Sequence, residues 1–123
     1  MTDDRSRYAD RIDRLADAAA SARAADGPDP PDEGRAMELC REGLGPTVAL
    51  YCEARTGESM VRFSEREFDR LQQALDDWLV AYAACYGVDI DADYTIRKAA
   101  ELLVETHNIR DVAQLLTDVP DRR

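Results

Sequence analysis

The sequence predicts a mainly α fold with a small β-hairpin, an α+β domain of compact form built around one long central helix. Three observations carry that reading. Residues 65–86 open on a capping box formed by Ser64 and Glu67. They set Phe68, Leu71, Leu75, Trp78, Leu79, Tyr82, Cys85 and Tyr86 in one stripe at helical period. Residues 3–25 repeat Tyr8, Ile12, Leu15, Ala19 and Ala22 at alternating spacings of four and three, a thin helical seam. Residues 47–63 instead alternate Val48, Leu50 and Cys52 with Ala49, Tyr51 and Glu53, then turn at Thr56–Gly57–Glu58 into SMVRF.

Taken in chain order, the seam of residues 3–25 requires a partner surface, because a polar helix with two heptads of contacts is unstable alone. That surface is either the rest of the chain or a second copy. Gly27, Pro28, Pro30 and Pro31 then interrupt any helix, so residues 1–34 read as a helical arm with its linker and residues 35–120 as the compact domain. Residues 33–43 predict a short helix presenting Met37 and Cys40, stopped by Gly43 and Gly45–Pro46. Val48, Tyr51, Val61 and Phe63 favour strands over 47–63. The rival reading of that stretch is a helix with Pro46 in its first turn and Gly57 past its end. The stretch 65–86 makes a rod of about 33 Å whose second half, WLVAYAACY, is apolar almost all round, and Gly87 stops it. Asp93 or Thr95 starts a further helix with Ile96, Ala99, Ala100, Leu103 and Val104 facing inward, ending near His107. Asn108 caps a last short helix closed by Pro120.

Charge says most about solvent. Seventeen Asp and nine Glu stand against fifteen Arg and one Lys, for a formal charge of −10. Near-absence of Lys with an Asp excess fits a protein working in concentrated salt, where the Debye length falls to about 3 Å near 1 M and the carboxylates stop repelling one another. The acidic balance makes nucleic acid an unlikely partner. No apolar run reaches membrane-spanning length and the charged start lacks the pattern of a signal peptide, so the expected location is cytoplasmic.

No pattern of catalytic or ligand-binding residues stands out. Cys40, Cys52 and Cys85 have no short spacing for a zinc clip and read as buried free thiols. The single His107 sits at a helix end, where the dipole favours a cation. Asp89, Asp91 and Asp93 begin like a calcium loop, but Tyr94 and Ala100 occupy the places of its Gly and Glu. No phosphate-cradling glycine motif occurs. No metal, cofactor or enzymatic activity is therefore expected.

Two resemblances accompany these residues. Residues 95–117 are similar to the first two helices of a Fis-type helix-turn-helix, without the helix that would enter the major groove. The stretches EARTGE (53–58), DDWLVAYAACYGVD (76–89) and THNIRDVAQLLT (106–117) resemble a small-protein family of halophilic archaea. That resemblance implies origin and compactness and brings no activity or site residue with it.

The expected function is a non-enzymatic protein–protein interaction module that self-associates as a homodimer or binds another protein. Its contact residues are expected to be Tyr8, Ile12, Leu15, Trp78, Tyr82 and Tyr86. The alternative is a DNA-associated transcriptional regulator that contacts phosphates through Arg97, Lys98 and Arg110.

Overall fold

The computed structural model describes residues 8–25, 27–56, 62–91 and 93–120, and among them it is helical throughout. Six α-helices occur there: α1 (Ala9–Ala24), α2 (Glu33–Leu39), α3 (Gly45–Thr56), α4 (Glu65–Ala84), α5 (Ile96–Thr106) and α6 (Ile109–Thr117). A π-helical turn, Cys40–Leu44, joins α2 to α3, so residues 33–56 run as one bent rod.

The predicted hairpin is overturned. No strand occurs among the described residues, and 47–56 belongs to α3. The burial pattern gives the reason. Thr47, Val48, Leu50, Tyr51 and Ala54 are inward, the spacing of a helical face, whereas a strand would have buried Val48, Leu50 and Cys52 together. Pro46 stands at the start of α3, directly after the π turn, and the chain stays helical through it. The turn and most of the second expected strand, residues 57–61, lie outside the described residues.

The helix expected to stop at Gly43 and Gly45–Pro46 also continues. A proline inside a helix removes one hydrogen bond and crowds the carbonyl four residues back. The π turn relieves this by widening the ladder: the Gly45 N–H donates to the Cys40 carbonyl, five residues back. The Thr47 hydroxyl then donates to the Gly43 carbonyl at 2.8 Å.

α4 is the central rod. Its capping box is complete: the Glu67 N–H donates to Ser64 Oγ at 3.1 Å, and the Ser64 N–H donates to Glu67 Oε1 at 2.8 Å. α1 packs along α4 of its own chain, with Ile12, Ala16 and Ala19 buried, and small alanines let the two axes come close. Arginine–carboxylate pairs fix both ends. Arg70 reaches Asp13 at 3.3 Å and Asp17 at 3.0 Å, and Arg23 reaches the buried Asp77 at 2.8 Å. Rising numbers on one helix meet rising numbers on the other, so α1 and α4 run parallel. The remaining rods close the other sides of α4.

The tail follows the sequence closely. Thr95 caps α5 by accepting the Lys98 N–H, and Asn108 caps α6 by accepting from Arg110 and Asp111. His107 and Asp118 take left-handed backbone conformations that end the two helices. The Gln72 side chain holds the approach to α5, accepting the Ile96 N–H at 2.9 Å and donating to the Tyr94 carbonyl. One inward assignment fails. Ile96, Ala99 and Ala100 are buried and Leu103 is half-buried, but Val104 is 64% exposed.

Candidate functional site

The six residues expected to meet a partner lie mostly inside the chain itself. Trp78 spans the helix bend: its ring rests where a Cβ on Gly43 would come within 2.6 Å, and its Nε1–H donates to Thr47 Oγ1 at 3.0 Å. Tyr82 is buried and its hydroxyl donates to the Val119 carbonyl at 2.7 Å. Tyr86, half-buried, meets Tyr82 edge to face at 5.4 Å. Tyr8 and Ile12 are buried under α1, and Leu15 is half-buried beside them. The aromatic half of α4 is thus enclosed by its own chain.

The basic residues of the DNA reading are exposed. Arg97 pairs with Glu101 at 3.6 Å and Arg110 approaches Glu33 at 3.9 Å, while Lys98 lies on the outer face of α5. His107 is exposed, and Cys40 and Cys85 are buried. Burial pushes the Cys40 thiol up to about 11 and raises Cys52 and Cys85 as well, the opposite of what activates a nucleophilic cysteine. Among the described residues no three His, Cys, Asp or Glu side chains gather as a metal site, and no helix is long and apolar enough to cross a membrane.

A different face carries the unspent chemistry. Two adjoining hollows lie where the end of α3, the start of α4 and the outer side of α5 meet. The larger, about 550 Å³, is lined by Tyr51, Arg55, Arg62, Phe63, Ser64, Glu65 and Phe68. The smaller, about 360 Å³, is lined by Tyr51, Cys52, Arg55, Thr56, Arg97, Ala100, Glu101 and Val104. Tyr51 and Arg55 belong to both, so the two form one groove. Its floor is stacked: Tyr51 lies on Phe63 with centroids 6.4 Å apart and planes 26° apart, and the Arg55 guanidinium sits 5.8 Å from the Tyr51 ring centre. Its walls carry Phe68, 40% exposed, and Val104.

Most arginines outside the groove are paired, although the exposed Arg14 and Lys98 reach no carboxylate among the described residues. Arg11, Arg23, Arg35, Arg66, Arg70, Arg97 and Arg110 each reach a carboxylate. Arg55 and Arg62 reach none among the described residues, although the chain has an excess of acids. Sequence reasoning missed the groove because its members come from three separated stretches. The one local signal was the placement of Arg55 and Arg62 beside Tyr51 and Phe63 in sequence.

These features define a small acidic α-helical domain with an aromatic-floored groove lined by Arg55, Arg62 and Arg97 as well as Glu65 and Glu101. The family described as domain of unknown function DUF8055 matches residues 6–121, and the chain belongs to it. No curated protein and no solved structure matches the chain.

Proposed function

We propose that the protein is a non-enzymatic protein–protein interaction module of a salt-rich cytoplasm, with the groove between α3, α4 and α5 as its docking face. One observation carries the reading: around Tyr51 and Arg55, the exposed apolar side chains of Phe68 and Val104 lie beside Arg55 and Arg62, which reach no carboxylate among the described residues. Arginine and aromatic side chains beside apolar surface are the usual anchors of protein contacts. Pairing of two copies through Trp78 and Tyr82 would require the core to open, whereas contact through the groove needs no rearrangement.

The test is affinity capture from native lysate in concentrated KCl, with the wild type beside Val104→Asp and Arg41→Glu, the latter on an exposed site outside the groove. The expected result is a defined protein retained by wild type and Arg41→Glu, lost by Val104→Asp, and bound again when purified. Identical retention by all three removes the reading. The salt-rich setting has its own check. With 26 carboxylates against 16 cationic side chains, helicity by circular dichroism should fall as KCl is withdrawn. An unchanged spectrum in dilute buffer contradicts that part.

A further inference from the structure

We propose that the occupant of the groove is an acidic linear segment of another protein, with carboxylates flanking an apolar anchor. This rests on the groove being a docking face and adds what it docks.

Charge complementarity is the first argument. A chain of formal charge −10 repels acidic partners almost everywhere, and elsewhere most of its arginines are neutralised by their own carboxylates. Arg55 and Arg62 reach no carboxylate among the described residues, even though Glu65 lines the same hollow, and an arginine fork is best matched by a carboxylate. The two stand beside one groove, so a ligand that satisfies both must itself be acidic.

Shape is the second argument. The hollows adjoin at Tyr51 and Arg55 and both are open to solvent, a form that fits an extended or helical segment laid across them better than an enclosed small molecule. Phe68 and Val104 supply apolar contacts on either side of Arg55, which places an apolar anchor between acidic neighbours.

The competing occupants fit less well. A nucleic acid draws its affinity from many phosphate contacts, and two free arginines on a strongly acidic protein offer few. Tyr51 is only 8% exposed and its ring is already stacked on Phe63, so it offers little open face to a base. A second copy seated groove to groove would bring four such arginines into one interface, with the two Glu65 side chains to answer them because Glu101 already pairs with Arg97.

The experiment selects peptides from a random dodecamer phage library on the full chain at about 0.5 M KCl, where charge is damped but not abolished. Fluorescein-labelled selected peptides are then measured by anisotropy against wild type, Arg55→Glu/Arg62→Glu and Val104→Asp, each checked for native helicity. The proposal expects selected sequences enriched in Asp and Glu next to Phe, Leu, Ile or Trp. It expects about tenfold weaker binding by their Asn/Gln analogues and a loss of about tenfold or more in the double variant. Neutral analogues that bind equally well, yet still lose binding to Val104→Asp, overturn the acidic occupant and leave the docking face standing. Peptides indifferent to both variants, or none selected, overturn both. Labelled oligo(dT) bound in an Arg55- and Arg62-dependent way, or a dimer in sedimentation velocity abolished by the double variant, overturns the proposal in favour of nucleic acid or of a second copy.

Discussion

The two ends of α4 do opposite things with similar side chains. Near its C-terminal half, Trp78 and Tyr82 are enclosed and each polar handle is used: the indole N–H on Thr47, the phenol on the Val119 carbonyl. Near its N-terminus, Phe68 stands exposed and the neighbouring Arg55 and Arg62 have no carboxylate among the described residues. Aromatic content alone therefore does not mark a contact surface. A large ring whose hydrogen bond is made and whose faces are covered belongs to the core; an exposed apolar side chain beside unspent charge is free to meet something else.

The largest effect should come from removing the enclosed ring. Trp78→Ala opens a cavity at the bend and strips the Thr47 hydroxyl of a donor, for an expected loss of about 3–5 kcal/mol in urea unfolding. A loss below about 1 kcal/mol would mean that the tryptophan is not a keystone of this core. Filling the space beneath it tests the same contact from the other side. A Cβ on Gly43 would stand 2.6 Å from the ring, so Gly43→Ala should cost about 1–3 kcal/mol through overpacking, despite alanine being the better helix former. A stabilised variant would show that the indole can move away freely.

That contact also explains what the sequence concealed. The caps at Ser64, Thr95 and Asn108 are local, each needing only a side chain and a backbone N–H two or three residues on; Ser64 and Asn108 were legible outright, and Thr95 as one of two candidates with Asp93. Gly43, Gly45 and Pro46 read locally as breakers. The π turn carries the helix past Pro46, and the bare Gly43 within it makes room for Trp78, more than thirty residues away. The alternation at 47–53 mimicked a strand only while Leu50 and Tyr51 could be assigned to opposite faces; both are buried on α3. Val104 continues the apolar stripe of α5, but Ile96, Ala99 and Ala100 fill the interior first and leave it outside. The groove needed residues 51–55, 62–68 and 97–104 brought together, which no local pattern encodes.

The enclosed end should also respond to pH. Burial raises the Cys40 thiol from 9.0 to about 11. Between those values the unfolded chain has released the proton and the folded chain still holds it, so the folded state binds more protons and stability falls as pH rises. Below pH 9 both states keep the proton and this contribution vanishes. The expected loss is about 1–2 kcal/mol between pH 9 and 11, read from urea midpoints. Tyr82 and Cys85, raised chiefly by burial too, act with the same sign. Cys40→Ala should therefore make the decline shallower without abolishing it, and an unchanged slope would remove Cys40 as a contributor.

The smallest stability effect is the most discriminating. Val104→Asp alters a side chain that stands in solvent with no packed interior to lose, and Arg55→Glu gives up its contact with the Tyr51 ring, so each should shift the unfolding free energy by no more than about 1 kcal/mol. Residues kept for packing show the reverse profile, costly when changed and silent in binding. If Val104→Asp destabilised the fold by more than about 1 kcal/mol, Val104 would be acting as core and the apolar half of the groove would disappear. If both variants keep nearly wild-type stability while peptide affinity drops, the contrast between the ends of α4 becomes a division of labour: one end is closed by the core, and at the other the exposed groove side chains are free to be occupied because the fold does not depend on them.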